Sequence, residues 1–399
     1  MKRWMLVLML LVLTLVAAQC GGQPSTPAVP AAQATTAPAA AQPKAATQAT
    51  TAPAAPAATT APTAAAKAAA TAPATTAASS AAPAAGDLGS AANPIKMAFV
   101  PSSDAQKLAT SLDKVGQMLE QQTGLKFKTS VPTSFAATVE AMNAGQIDIG
   151  WLNPLSYVVG NNRYGIELLL TTTRNGSKVY PFSIIVAKDS PIKTVQDLKG
   201  KKLASADPLS TSGNLYPRAY LTQQGVIPDK DVQFVYAGGH DKAVIALVNG
   251  QTDAAAVFGE FKGTPDARDR AKASVPDVYD KTRVLLNSAD VNFLIPNDTV
   301  SVRKGLPADI KKKISDGLLA IAKTEDGIKE LKALADIDGL VVGDPKDYAP
   351  INDAAKAANI DIGVVLNTPT PAAPKPAATG GAAGGAATPA ATAAATKAP

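Results

Sequence analysis

The chain holds one histidine and one cysteine among 399 residues, and that scarcity excludes much chemistry. With Cys20 alone, no intramolecular disulfide can form. With His240 alone, and Cys20 closing an N-terminal apolar run, a metal site would have only carboxylates for ligands. A serine hydrolase needs a base and an oxyanion hole, and no Gly-x-Ser-x-Gly elbow is present. The expectation is therefore a protein that is not an enzyme, with no catalytic residue, no metal and no cofactor. Positive charge is also scarcer than it looks. Of the formal net charge of +6, Lys2, Arg3, Lys44, Lys67, Lys375 and Lys397 lie outside the candidate core against Asp87, which leaves +1 for residues 93–366. A nearly neutral body does not suit nucleic acid.

What is present begins with "MKRWMLVLMLLVLTLVAAQC", which has the n-region, apolar h-region and small-residue order of an export signal over residues 1–20. The apolar run is short for a membrane span. Cys20 with Gly21 and Gly22 resembles a bacterial lipobox, with Ala17 for the usual leucine and Gln19 for the usual small residue. Val16 and Ala18 equally suit ordinary cleavage, so lipidation and simple processing both stay open. Either places the protein outside the cytoplasm, at the cell surface or in a periplasm. Residues 21–92 are almost wholly Ala, Pro, Thr, Ser and Gln, and residues 367–399 repeat that composition. Both read as disordered, the first as a tether and the second as a tail.

The core, residues 93–366, alternates strand-like and helix-like runs. "IKMAFVP" is strand-like, and the following run carries Leu108, Leu112, Val115 and Leu119 at helical spacing, with Ser103 as its cap and Gly124 as its stop. "LKFKTSV", "SFAATVEAMNAG" and "QIDIGWL" continue the alternation, which predicts an α/β fold with largely parallel sheets. "VEAMNAGQIDIGWLNP" is echoed by "VIALVNGQTDAAAVFGE", suggesting two similarly built lobes. Extended runs near Tyr180–Ala187 and Asn287–Pro296 are placed as hinges. They divide the core into one lobe of residues 93–180 and 288–366 and a second of residues 181–287. A cleft between lobes is the default ligand site.

Ser210, Thr211 and Ser212 stand together in "ASADPLSTSGNLYPRAYL", before Gly213 and a candidate helix. One hydroxyl suffices for a cap. Three of them at a helix start also make a cradle for an anion.

"DPLSTSG", followed by "AGGHDKAVIALVNGQTDAAAV", resembles the phosphonate, phosphite and phosphate-binding proteins of bacterial ABC importers, with "GWLNPLSYV" and "DLKGKKLASADPLSTSG" also in family order. The resemblance runs from about Lys96 to Lys332. It implies a two-lobed periplasmic-binding-protein fold, type II-like, with two hinge crossovers. It further implies that Ser210, Thr211, Ser212 and His240 bond the oxyanion; alternatively, His240 caps the helix starting near Asp241. Glu260 and Asp298 fall where members that bind 2-aminoethylphosphonate place carboxylates around the amine, or each is an exposed acid. Tyr180 matches a pocket tyrosine or packs at a hinge. Leu152 stands where amine-binding members carry tyrosine, so another phosphonate, phosphite or phosphate remains open as ligand. Tyr157 either reaches the cleft or lies in the core.

The resulting expectation is the monomeric, exported solute-binding component of an ABC importer, delivering a phosphonate-type anion to a membrane permease. The alternatives are a ligand-sensing module for a signalling partner and a hydrolase using His240 as base.

Overall fold

The computed structural model describes residues 87–367; the expected signal, the candidate lipidation site Cys20, most of the expected tether and the tail lie outside them. Two sheets organise the chain. The first contains β1 (Ile95–Phe99), β2 (Phe127–Ser130), β3 (Ile149–Leu152), β4 (Glu167–Thr173), β12 (Thr299–Val302) and β13 (Gly339–Val342), in the order β13-β4-β12-β3-β1-β2. The second contains β6 (Phe182–Ala187), β7 (Lys201–Ser205), β8 (Val232–Tyr236), β9 (Ala254–Phe258) and β10 (Thr282–Asn287), in the order β10-β6-β9-β7-β8. The chain passes between them through β5 (Val179–Tyr180) and returns through β11 (Ile295–Pro296), which pair antiparallel with Tyr180 opposite Ile295.

Around the first sheet lie α1 (Ala105–Thr123), α2 (Phe135–Asn143), α3 (Pro154–Tyr164), α8 (Ala308–Ile321) and α9 (Glu325–Ala335). Around the second lie α4 (Tyr216–Gln223), α5 (His240–Val248), α6 (Ala267–Ala271) and α7 (Val278–Lys281). The last helix, α10 (Ala349–Ala357), packs chiefly on α4 and also touches α3 and β11. The α1 stripe Leu108, Leu112, Val115 and Leu119 is buried. Asp104, one residue past the expected Ser103, caps this helix by accepting from the Lys107 N–H, and Gly124 ends it in the left-handed conformation.

The sheets are mixed rather than largely parallel. β1 runs parallel to β2 and β3, and β7 to β8 and β9. β12 and β6 run antiparallel to their neighbours. These two strands adjoin the crossovers, so the chain enters each sheet against the direction of its βαβ units.

The sequence echo has a structural counterpart. Gly145 and Gly250 both adopt positive φ. Three residues after each, an aspartate grips the start of the strand that heads a parallel run, β1 in the first sheet and β7 in the second. The Asp148 N–H donates to the Lys96 carbonyl, and the Lys96 N–H donates back to Asp148 Oδ2 at 2.9 Å; Asp253 repeats both bonds on Lys202, with the side-chain bond at 2.8 Å. Each sheet thus contains the same helix–turn–strand unit, and the segments after β1 and β7 both border one cavity.

Candidate functional site

The cavity between the two sheets' layers is bounded by the segment after β1, the start of α3, the β5 strand, the hydroxyl run and the start of α5. The hydroxyl run follows β7 as a single π-type turn, residues Thr211–Leu215, leading into α4. Gly213 is required there by close approach. A Cβ at this position would lie 2.9 Å from Ser210 Oγ and 3.1 Å from the Ala206 backbone nitrogen.

Ser210 and Thr211 already have protein partners, and their polarity is informative. Ser210 Oγ accepts from the Gly213 N–H at 3.0 Å and lies 3.4 Å from His240 Nε2. Thr211 Oγ1 accepts from Asn153 Nδ2 at 2.7 Å and from the Leu155 N–H at 2.9 Å. A hydroxyl carries one donor and two acceptor sites. Thr211 has both acceptor sites filled, so only its proton is left to offer. Ser212 lines the cavity together with the Tyr180 phenol. The cap and cradle readings therefore merge: protein N–H groups occupy lone pairs and leave O–H donors, the polarity an oxyanion needs.

His240 is the first residue of α5, its ring edge-on to Phe258 with centroids 5.1 Å apart. Its Nδ1 is buried without a partner, so the ring does not cap the helix. Burial, and secondarily Arg270, lower its pKa to about 3. It is neutral at ordinary pH and presents one N–H. Asp207, at the head of the motif, is shifted the other way. Burial raises its pKa to about 6, against bonds from the Leu209 and Phe135 N–H groups. Burial, then Asp298, raise the Tyr180 phenol well above its usual range, so it stays protonated.

Four contributors escaped the sequence reading. Trp151 and Asn153 line the cavity, with Trp151 Nε1 and Asn153 Oδ1 buried and unpartnered. Both lie inside the quoted "GWLNP", but neither residue type announces a ligand. Arg174 and Arg270 also line it, and each is paired with an acid: Arg174 Nη2 with Asp298 Oδ2 at 2.7 Å, and Arg270 with Asp336. The partners are far apart in sequence, so no local spacing could have revealed them.

The expected organic side is rearranged. Leu152, Tyr180 and Asp298 line the cavity, but Asp298 already holds Arg174. Glu260 does not line it. It is exposed beyond β9, with its backbone carbonyl, not its carboxylate, bonded by Asn287. Tyr157 is buried in α3 edge-on to Tyr348, with centroids 5.1 Å apart, because that face of α3 packs on the core. Placing Glu260 and Tyr157 in the pocket is thus corrected.

Several bonds cross the cavity. Asn153 Nδ2 reaches the Leu209 carbonyl at 2.7 Å as well as Thr211, the His240 N–H donates to the Ser102 carbonyl at 2.9 Å, and Arg270 meets Asp336. The two layers are therefore in contact around the cavity. Among the described residues, no His, Cys, Asp and Glu cluster is arranged to hold a metal.

Residues 97–348 match the family model described as ABC transporter, phosphonate, periplasmic substrate-binding protein. The phosphate-import protein PhnD of Mycolicibacterium smegmatis is 32% identical over 187 residues, which are 41% of this chain and 54% of that protein. The phosphonates-binding periplasmic protein of Escherichia coli is 27% identical over 237 residues, 58% of this chain and 67% of that one. The chain thus spans about half to two thirds of the length of these relatives. The crystal structure of a binding protein component of an ABC phosphonate transporter from Pseudomonas aeruginosa superposes with a TM-score of 0.60 at 23% identity, covering 67% of this chain and 87% of that one. This likeness shows the shared two-lobed α/β fold.

Proposed function

The chain belongs to the family of phosphonate ABC-transporter periplasmic substrate-binding proteins, and we propose that it captures a phosphonate-type oxyanion between its lobes and delivers it to a membrane permease. The observation carrying this reading is the polarity of the Ser210–Thr211–His240 group. Hydroxyl and imidazole groups whose other bonds are made within the protein face the cavity as donors, joined there by Trp151. Neutral donors hold an anion without a buried lysine or arginine at the anion itself, which keeps release accessible.

In this reading β5 and β11 are the hinges, dividing the lobes near residues 180 and 288. The ligand biases an open–closed equilibrium by bonding both lobes at once. The closed protein, acting as a monomer, docks on the permease. No covalent step is involved. The export signal and a lipid anchor at Cys20 complete the proposal, holding the protein at the outer face of the membrane.

Trp151 lines the cavity, and the only other tryptophan is Trp4 in the signal. Titration with phosphate, phosphite, methylphosphonate and 2-aminoethylphosphonate, followed by calorimetry and by tryptophan emission, tests the reading. Saturable binding of at least one, recovered chemically intact, is expected. Binding of none would overturn it.

A further inference from the structure

We infer that Arg174 determines what the oxyanion is attached to: by occupying Asp298, it leaves the pocket no carboxylate to receive an ammonium, so the bound oxyanion carries no cationic substituent. This inference rests on the reading of the cleft as an oxyanion site.

Arg174 follows β4 directly and is fixed by three bonds. Its Nε donates to the Ala335 carbonyl at 3.0 Å, Nη1 to Asn297 Oδ1 at 2.8 Å and Nη2 to Asp298 Oδ2 at 2.7 Å. The Tyr180 ring lies 5.6 Å from its guanidinium carbon. The Arg174 and Asp298 side chains are only 15% and 21% exposed. Among the described residues lining the cavity, the only other carboxylate is Asp336, and Arg270 holds it.

The wall is therefore electrically complete before a ligand arrives. An ammonium group entering it would have to displace a guanidinium anchored on three acceptors, or sit beside two arginines with no acid of its own. Either is unfavourable in a site shielded from water. Phe99, Leu152, Val179 and Phe258 add apolar surface, and the other polar lining residues, Ser102, Ser103 and Thr264, carry no charge. This lining suits a bare oxyanion or a short alkyl substituent.

Calorimetry on the wild type, Arg174→Gln and the charge-neutral double variant Arg174→Gln/Asp298→Asn with methylphosphonate, ethylphosphonate and 2-aminoethylphosphonate tests this. The wild type is expected to bind an alkylphosphonate at least about tenfold tighter than 2-aminoethylphosphonate, a difference of roughly 1.4 kcal/mol. Arg174→Gln, which frees the carboxylate, should raise the relative affinity for the amine about tenfold. The double variant provides the test where Arg174→Gln fails to fold. It removes both charges of the pair together, so the amine should lose no more affinity than ethylphosphonate does. A wild type that prefers 2-aminoethylphosphonate, or a double variant that loses the amine selectively, overturns the inference while leaving the oxyanion site standing. Failure of every phosphonate, with phosphate and phosphite failing as well, overturns both.

Discussion

Asn153 and Thr211 meet across the cleft with Nδ2 2.7 Å from Oγ1, and the same amide group donates to the Leu209 carbonyl at 2.7 Å. Asn153 immediately precedes α3 yet makes no side-chain cap for it. Its amide is spent on the opposite lobe. Asn153→Ala should leave folding unchanged and weaken ligand binding about tenfold, as expected for two lost bonds worth ~1 kcal/mol each, partly compensated by water. Calorimetry alongside small-angle scattering checks this, the variant being more open without ligand. Unaltered affinity and shape would show that the contact is incidental.

The three hydroxyls differ in what they hold, so their alanine variants should separate. Ser210→Ala removes the acceptor of the Gly213 N–H and should lower stability by about 1 kcal/mol, as loss of a cap does, while also weakening the anion. Thr211→Ala removes the acceptor shared by Asn153 and Leu155 and should open the cleft. Ser212→Ala touches neither arrangement and should reduce affinity with the smallest change in melting temperature. A uniform loss of stability with intact affinity would make the run purely structural.

Two buried groups beside the cleft pull acid stability in opposite directions. His240 has its pKa lowered from 6.5 to about 3, so the unfolded chain takes up a proton that the folded chain refuses, and stability falls as pH drops from 6.5 toward 3. Asp207 has its pKa raised from 3.8 to about 6, so its contribution is present at low pH and fades as pH rises through that window. Asp207→Asn should therefore steepen the acid loss of stability, and His240→Gln should flatten it. Thermal unfolding from neutral to acid pH measures both. Identical pH profiles for the two variants and the wild type would refute the assignment.

The Arg270–Asp336 pair joins α6 of one lobe to the C-terminus of α9 of the other, with side chains 22% and 30% exposed. Asp336 adopts left-handed backbone angles at the end of α9, which asparagine also tolerates. Asp336→Asn should keep the fold and speed ligand release roughly three- to fivefold, the scale of a half-exposed ion pair of ~1 kcal/mol. Stopped-flow tryptophan emission reads the rate. An unchanged rate would show that the pair does not hold the cleft closed.

The fold was largely legible because its signals are local. The α1 stripe, the Gly-Gln-x-Asp echo and the hydroxyl run each declare themselves within a few residues, and the echo proved to be a repeated aspartate grip on Lys96 and Lys202. The capping aspartate of α1 was missed by one position because Ser103 and Asp104 are both good caps. Sheet direction was misjudged because alternation of strand and helix says nothing of the strands that adjoin a crossover. The organic side of the pocket was hardest. Whether Asp298 faces a ligand or a guanidinium depends on Arg174, 124 positions away, and nothing near either residue marks the pair. Glu260 looked equivalent to Asp298 on paper, but it emerges beyond the end of β9 into solvent.

Tyr180 belongs both to the two-residue strand on which the chain crosses between sheets and to the wall of the cavity. With the hinges at β5 and β11 as proposed, a ligand leaning on that ring would press at the fulcrum rather than at the tips of the jaws. Leverage then favours small cargo: an oxyanion too short to bridge the rims still bears on the axis about which they swing. Size selection would follow from where the force is applied, with bulky ligands wedging the axis apart before the rims can meet.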